Sequence, residues 1–202
     1  MLKTYEKTWH FYVRQQHYTS RRGDYLPYCM IDTLYDFCKT TSNRMLDIGC
    51  GENNLKLFFD TVGCDKTIEA DYKCWVGEPE WFSLPQFSRG IAINSLHWND
   101  IETNIELALK KTKHCYITLN QNQDIDRFKD KSYWNDFGNV EYFWHGQDEN
   151  ELQNIQEYLQ QDQLFSYRHP DLDIKETSES IYHNTVVNDP FFGVVRVVIN
   201  AT

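Results

Sequence analysis

Residues 44–54, Arg-Met-Leu-Asp-Ile-Gly-Cys-Gly-Glu-Asn-Asn, constrain this 202-residue chain more than any other stretch. Met45-Leu46-Asp47-Ile48 is a short apolar run of strand type, and it passes directly into Gly49-Cys50-Gly51. A helical pattern follows from Leu55. Strand, glycine turn and helix in that order predict the corner at which α/β folds hold a nucleotide. The backbone must turn tightly there with no Cβ in the way, and a ligand must approach it closely. The helix N-terminus is expected to offer free N–H groups to a polar ligand.

The rest of the chain supplies the sheet such a corner needs. Leu55, Leu57, Phe58, Phe59 and Val62 predict a short helix stopped by Gly63. Thr67-Ile68-Glu69-Ala70-Asp71 reads as a second strand, and the segment 73–87, with Gly77, Pro79 and Pro85, as mostly irregular. Gly90 to Asn94 and Cys115 to Leu119 read as further buried strands. Between them Asn99 or Asp100 is placed to cap a helix reaching about Lys111. Strands alternating with helices predict a parallel sheet. Residues 1–41 predict two helices with a loop near Ser20–Tyr25, and helices are expected over Asp124–Trp134 and Glu149–Gln161, with a strand at Val140–Trp144. Ser180–Val187 and Gly193–Asn200 predict an antiparallel hairpin around the turn signal Asn188-Asp189-Pro190.

Charge and cysteines narrow the partners. The formal net charge is −10, and gripping a phosphate backbone calls for Lys/Arg neutralisation, so nucleic acid is an unlikely partner. Six cysteines (29, 38, 50, 64, 74 and 115) show no Cys-x-x-Cys spacing. Reduced thiols and a cytoplasmic setting are expected, with no metal site. No apolar run approaches the 18 residues of a membrane span. There is no Gly-x-x-x-x-Gly-Lys phosphate loop and no Gly-x-Ser-x-Gly elbow.

The stretch from Leu46 to Asn53 resembles motif I of the class I S-adenosylmethionine-dependent methyltransferases, Leu-Asp-x-Gly-x-Gly-x-Gly. Asp47, Gly49 and Gly51 match position by position, with Cys50 between the glycines, and Asn53 takes the third glycine's place. Asparagine tolerates left-handed backbone better than other non-glycine residues, which keeps such a turn available. Asp71, with Tyr72 beside it, lies about twenty residues past the glycines, the spacing of an acid that accepts hydrogen bonds from ribose hydroxyls. A second segment is similar to the small-molecule members of the family: Leu84, Pro85 and Phe87, then Leu96-His97-Trp98. Asn94, Ser95 and Leu96 would then stand at a strand end beside the cofactor, and His97 would be the candidate general base.

The resemblance implies an α/β fold: a single Rossmann-like methyltransferase domain, mostly parallel, flanked by helices and closed by a C-terminal antiparallel hairpin. It implies an N-terminal helical lid over 1–41 and a core over 42–202, with Arg14, Arg21 or Arg22 as candidates to hold an anionic group. It also implies S-adenosylmethionine as cofactor and methyl transfer to an O, N or C nucleophile of a small molecule. The opposing expectation is a methyltransferase fold that no longer catalyses and serves in binding or assembly, motivated by Asn53, by Ser88 where the family usually has aspartate, and by the shortened region after Asp71. Methylation of a protein or RNA is a third reading. The oligomeric state is left open.

Overall fold

In the computed structural model, the described residues are 28–39, 43–97, 99–120, 125–146, 173–182 and 193–200, with isolated positions between 152 and 160. Six strands form one sheet: β1 (Met45–Ile48), β2 (Thr61–Cys64), β3 (Phe87–Ile93), β4 (Thr112–Asn120), β5 (Asn139–Gly146) and β6 (Gly193–Asn200). Their order across the sheet is β2-β1-β3-β4-β6-β5. The first four run parallel, and β6 is antiparallel to both β4 and β5. This is the mostly parallel sheet with an antiparallel end that the sequence predicts. All four residues of β1 are buried, as expected of a central parallel strand covered on both faces.

Helices cover both faces. In α1 (Tyr28–Lys39), Leu34, Phe37 and Cys38 are buried. Thr33 Oγ1 lies 3.0 Å from the Tyr116 hydroxyl, and Arg89 donates to the Phe37 carbonyl while its guanidinium sits 4.9 Å from the Phe37 ring centre. A short helix α2 (Pro79–Ser83) interrupts the irregular segment before β3. In α3 (Ile101–Lys111), Ile101, Ile105 and Ala108 are buried, the i, i+4, i+7 stripe that turns one helix face inward. The predicted cap is present: Asp100 accepts from the Thr103 N–H. Side chains alternate across a strand, so Tyr116 on the α1 face leaves Cys115 and Ile117 to pack with Ile105 and Ala108 in the opposite layer. Helices α4 (Ile125–Lys129) and α5 (Lys131–Asn135) follow β4. There the fully buried Trp134 donates its ring N–H to the Phe128 carbonyl at 2.9 Å.

Three elements differ from the sequence reading. The helix from Leu55 is a single 3-10 turn, Asn54–Leu57, and Thr61-Val62-Gly63-Cys64, read as a helix end, is β2. The strand expected over Thr67–Asp71 is absent. The Asp65 carboxylate accepts from the Lys66 and Thr67 N–H groups, a side-chain turn that draws the backbone out of the ladder. Only Tyr72 rejoins the sheet, as a parallel bridge to Cys64 at the outer edge of β2. At the other end of the chain, β6 forms as predicted, but its partners are β4 and β5. Ile174–Tyr182 is a helix (α6), with the Asp173 carboxylate accepting from the Glu176 N–H, and 183–187 lie outside the described residues. So do residues 1–27, with the first of the predicted lid helices and Arg14, Arg21 and Arg22. Most of the helix expected over Glu149–Gln161 lies outside them too. No helix among the described residues is long and apolar enough to cross a membrane.

Candidate functional site

In an open α/β sheet, ligands bind beyond the carboxyl ends of the strands where the strand order reverses. Here the chain leaves β1 toward β2 on one side and returns as β3 on the other. The reversal therefore lies between the ends of β1 and β3, with Gly49-Cys50-Gly51 on one side and Asn94-Ser95-Leu96 on the other.

The two glycines have different tasks. Both have left-handed backbone, φ 69° at Gly49 and 53° at Gly51. A Cβ on Gly49 would lie 2.2 Å from the Ser95 Cβ, so Gly49 lets the end of β3 press against the turn. Ser95 Oγ seals that contact by donating to the Ile48 carbonyl. A Cβ on Gly51 would meet no described residue within 4 Å; among the described residues, the open space that a close-lying ligand requires is at Gly51. Asn53, in the third glycine's place, is left-handed as its residue type permits, with φ 57° and ψ 34°.

The turn is held largely by its own neighbours. The Gly49 and Cys50 N–H groups donate to the Cys64 carbonyl at 2.7 and 3.3 Å, and Asn53 N–H donates to the Cys50 carbonyl. Gly51 N–H donates to Asp65 at 3.0 Å, and the Thr67 hydroxyl donates to the Gly51 carbonyl. The expected helix N-terminus with free donors is thus replaced by a short turn whose donors are mostly spent internally.

Three carboxylates surround this turn. Asp47, the third residue of β1, is 4% exposed. Burial, reinforced by the nearby Asp65 charge, pushes its carboxyl up to about 7. Asp65 occupies the end of β2, the place the spacing rule gave to Asp71. Asp71 stands beside the edge bridge, where it accepts from Gly63 N–H at 2.9 Å, from Asn53 Nδ2 at 3.1 Å and from Lys56. Burial raises this carboxyl, but those three donors outweigh it and hold it below the usual range. Asp71 therefore braces Asn53 and β2, while Tyr72 beside it is half-exposed at the sheet edge. Sequence spacing pointed to Asp71 and not to Asp65, which follows the strand that forms. The available signal was the acid closing the run Val62-Gly63-Cys64, a pattern like the one that drew attention to Asp71.

At the end of β3, Asn94 has φ 51° and is tied to Thr118 of β4. Thr118 Oγ1 donates to Asn94 Oδ1 at 3.1 Å, and Asn94 N–H reaches the Thr118 carbonyl at 2.9 Å and its Oγ1 at 3.2 Å. Leu96 is fully buried and its carbonyl accepts from Asn104 of α3. Leu96 thus anchors the loop from below, and His97 follows half-buried on it. Trp98 lies outside the described residues. Cys50 is half-buried, and burial first, with Asp47 and Asp65 adding, pushes its thiol up to about 12. It is a packing group, not a nucleophile.

No family model and no curated protein matches the sequence. Among solved structures, the chain is similar to a suspected RNA methyltransferase from Pyrococcus horikoshii, with 10% identity and a TM-score of 0.46 over 72% of this chain and 86% of that one. It is similar to an S-adenosylmethionine-dependent methyltransferase from Archaeoglobus fulgidus, with 16% identity and a TM-score of 0.44 over 85% and 91% of the two chains. A third is an S-adenosylmethionine-dependent methyltransferase from Geobacter sulfurreducens in complex with S-adenosyl-L-homocysteine, with 13% identity and a TM-score of 0.42 over 90% and 94%. At these identities and scores the likeness lies in the broad path of the chain, and the fold assignment rests on the strand order of this chain itself.

Proposed function

We propose that this domain binds S-adenosylmethionine across the ends of β1 and β3 and transfers its methyl group to a small molecule. The observation that carries this reading is the pairing of a left-handed Gly51, open to close approach, with a buried Asn94 amide nitrogen that has no partner among the described residues, at the point where the strand order reverses. The residues present fit the cofactor. Gly51 admits close contact, and Asp65 at the end of β2 has a carboxylate oxygen, Oδ2, that accepts a single backbone N–H and retains capacity for ribose hydroxyls. Asn94, Ser95 and Leu96 form the opposite wall, and Cys50 and Asn53 shape the turn. Asp47 and Asp71 support the site from inside β1 and from the sheet edge.

When bound, S-adenosylmethionine supplies a methyl group on an already reactive sulfonium. The protein's task is then alignment and exclusion of water. His97, on the loop after β3, is the side chain proposed to take the acceptor's proton. The net charge of −10 favours a small acceptor over a polyanion.

One observation favours a second reading, a fold retained for binding without catalysis: the donors of the glycine turn are mostly spent on Cys64 and Asp65. Methyl-labelled S-adenosylmethionine, incubated with the protein and either small-molecule or RNA fractions, separates the readings. Label in the small-molecule fraction is the expected result. Label only in RNA overturns the acceptor assignment, and cofactor binding with no label transferred to either supports the second reading.

A further inference from the structure

The amide of Asn94 has a fixed sense. A hydroxyl carries one proton and two lone pairs. Asn94 N–H, whose shorter bond is to the Thr118 carbonyl, also reaches a lone pair of Thr118 Oγ1, and the Thr118 proton goes to Asn94 Oδ1. Were the amide turned over, Nδ2 could take the second lone pair of that oxygen, but the hydroxyl proton would lose its acceptor among the described residues. Thr118 is itself fully buried, held in β4 opposite Ile93 of β3, so it does not give way. Asn94 Nδ2 is thereby presented as a donor. It is buried, with no hydrogen-bond partner among the described residues, and a buried donor left unmade is costly.

We infer that Asn94 Nδ2 is a ligand-binding donor, recognising a hydrogen-bond-accepting oxygen or nitrogen of the bound cofactor, and that Thr118 is the positioning residue that sets its sense. This rests on the cofactor reading above. It assigns Thr118 a role that its sequence neighbourhood does not suggest. It also predicts a polarity: the site wants a donor at this position and rejects an acceptor.

The test compares S-adenosylhomocysteine binding by the parent, Thr118→Val, Thr118→Ser and Asn94→Asp, with folding checked by circular dichroism. Thr118→Val keeps the shape but frees the amide to turn, and is expected to weaken binding by about 5- to 50-fold; Thr118→Ser restores the hydroxyl and is expected to stay within about threefold of the parent. Asn94→Asp replaces the donor by acceptors and is expected to lose at least about tenfold. A spectroscopic readout separates positioning from mere structural support: the Asn94 side-chain amide cross-peaks should move when S-adenosylhomocysteine is added to the parent. Unmoved cross-peaks in a parent that binds, or parent-like affinity in a folded Thr118→Val variant, overturns the inference and leaves the cofactor reading standing. A parent that binds no S-adenosylhomocysteine overturns both.

Discussion

Replacing Asp47 with asparagine should stabilise this protein, and by an amount that depends on pH. Asp47 is buried in β1, and its carboxyl holds a proton up to about pH 7, against 3.8 for the ordinary group. The native state thus keeps a proton that the unfolded chain releases. Because the native value is the higher one, the associated stability is fully present below about pH 4, declines as pH rises and is gone above about pH 7. At about 1.4 kcal/mol per pH unit, the decline totals on the order of 4 kcal/mol. Asparagine is neutral throughout and fills nearly the same volume, so Asp47→Asn escapes this loss. Urea unfolding of parent and variant at pH 5 and pH 8 reads the effect directly. The advantage of the variant should grow by roughly 3 kcal/mol between the two conditions. The depressed carboxylates, Asp71 among them, titrate below this window. His114, whose burial lowers it, contributes to both proteins and cancels in the difference. An advantage that stays constant with pH, or a variant less stable than the parent at pH 8, would refute the account of Asp47 as a buried, proton-holding acid.

Other perturbations follow from the same geometry. Gly51→Ala places a methyl in open space at φ 53°; it should cost about 1–2 kcal/mol in a thermal melt while weakening S-adenosylhomocysteine binding. Gly49→Ala, whose Cβ meets Ser95 at 2.2 Å, must separate the ends of β1 and β3 and should cost clearly more, on the order of 3 kcal/mol or above; equal melting temperatures for the two would contradict this division of labour. Lys111 reaches inward to the Phe82 and Leu84 carbonyls at 2.9 and 2.7 Å. Lys111→Met leaves both unpaired and should lower stability by about 2 kcal/mol in urea. Asp71→Ala removes the brace on Asn53 and Gly63 and is expected to weaken S-adenosylhomocysteine binding in calorimetry with the circular dichroism spectrum unchanged; unaltered affinity would show that the brace does not reach the site.

What could be read in advance divides by the range of the interaction. The β1 turn was legible because a buried run and two glycines are adjacent in sequence, and α3 because its cap and apolar stripe are local. Strand β2 was not: Val62-Gly63 has the look of a helix end, and only the parallel pairing of Met45 with Thr61 through Ile48 with Cys64 makes it a strand. The false strand at Thr67–Asp71 had the right composition, but periodicity is blind to a carboxylate that captures the next two N–H groups. That same turn moved the strand-end acid from Asp71 to Asp65. The antiparallel end was legible in β6, while its pairing with β5, more than forty residues earlier in the chain, was not. Nor was Thr118, whose link to Asn94 exists only through the register of β3 and β4.

The central claim is a cofactor site at the ends of β1 and β3, and calorimetric titration of the purified protein with S-adenosylmethionine and S-adenosylhomocysteine tests it most directly. The account predicts saturable binding of both with dissociation constants on the order of micromolar, about −8 kcal/mol, sharply weakened in Gly51→Ala. Absence of heat up to millimolar ligand, with the fold intact by circular dichroism, would contradict it.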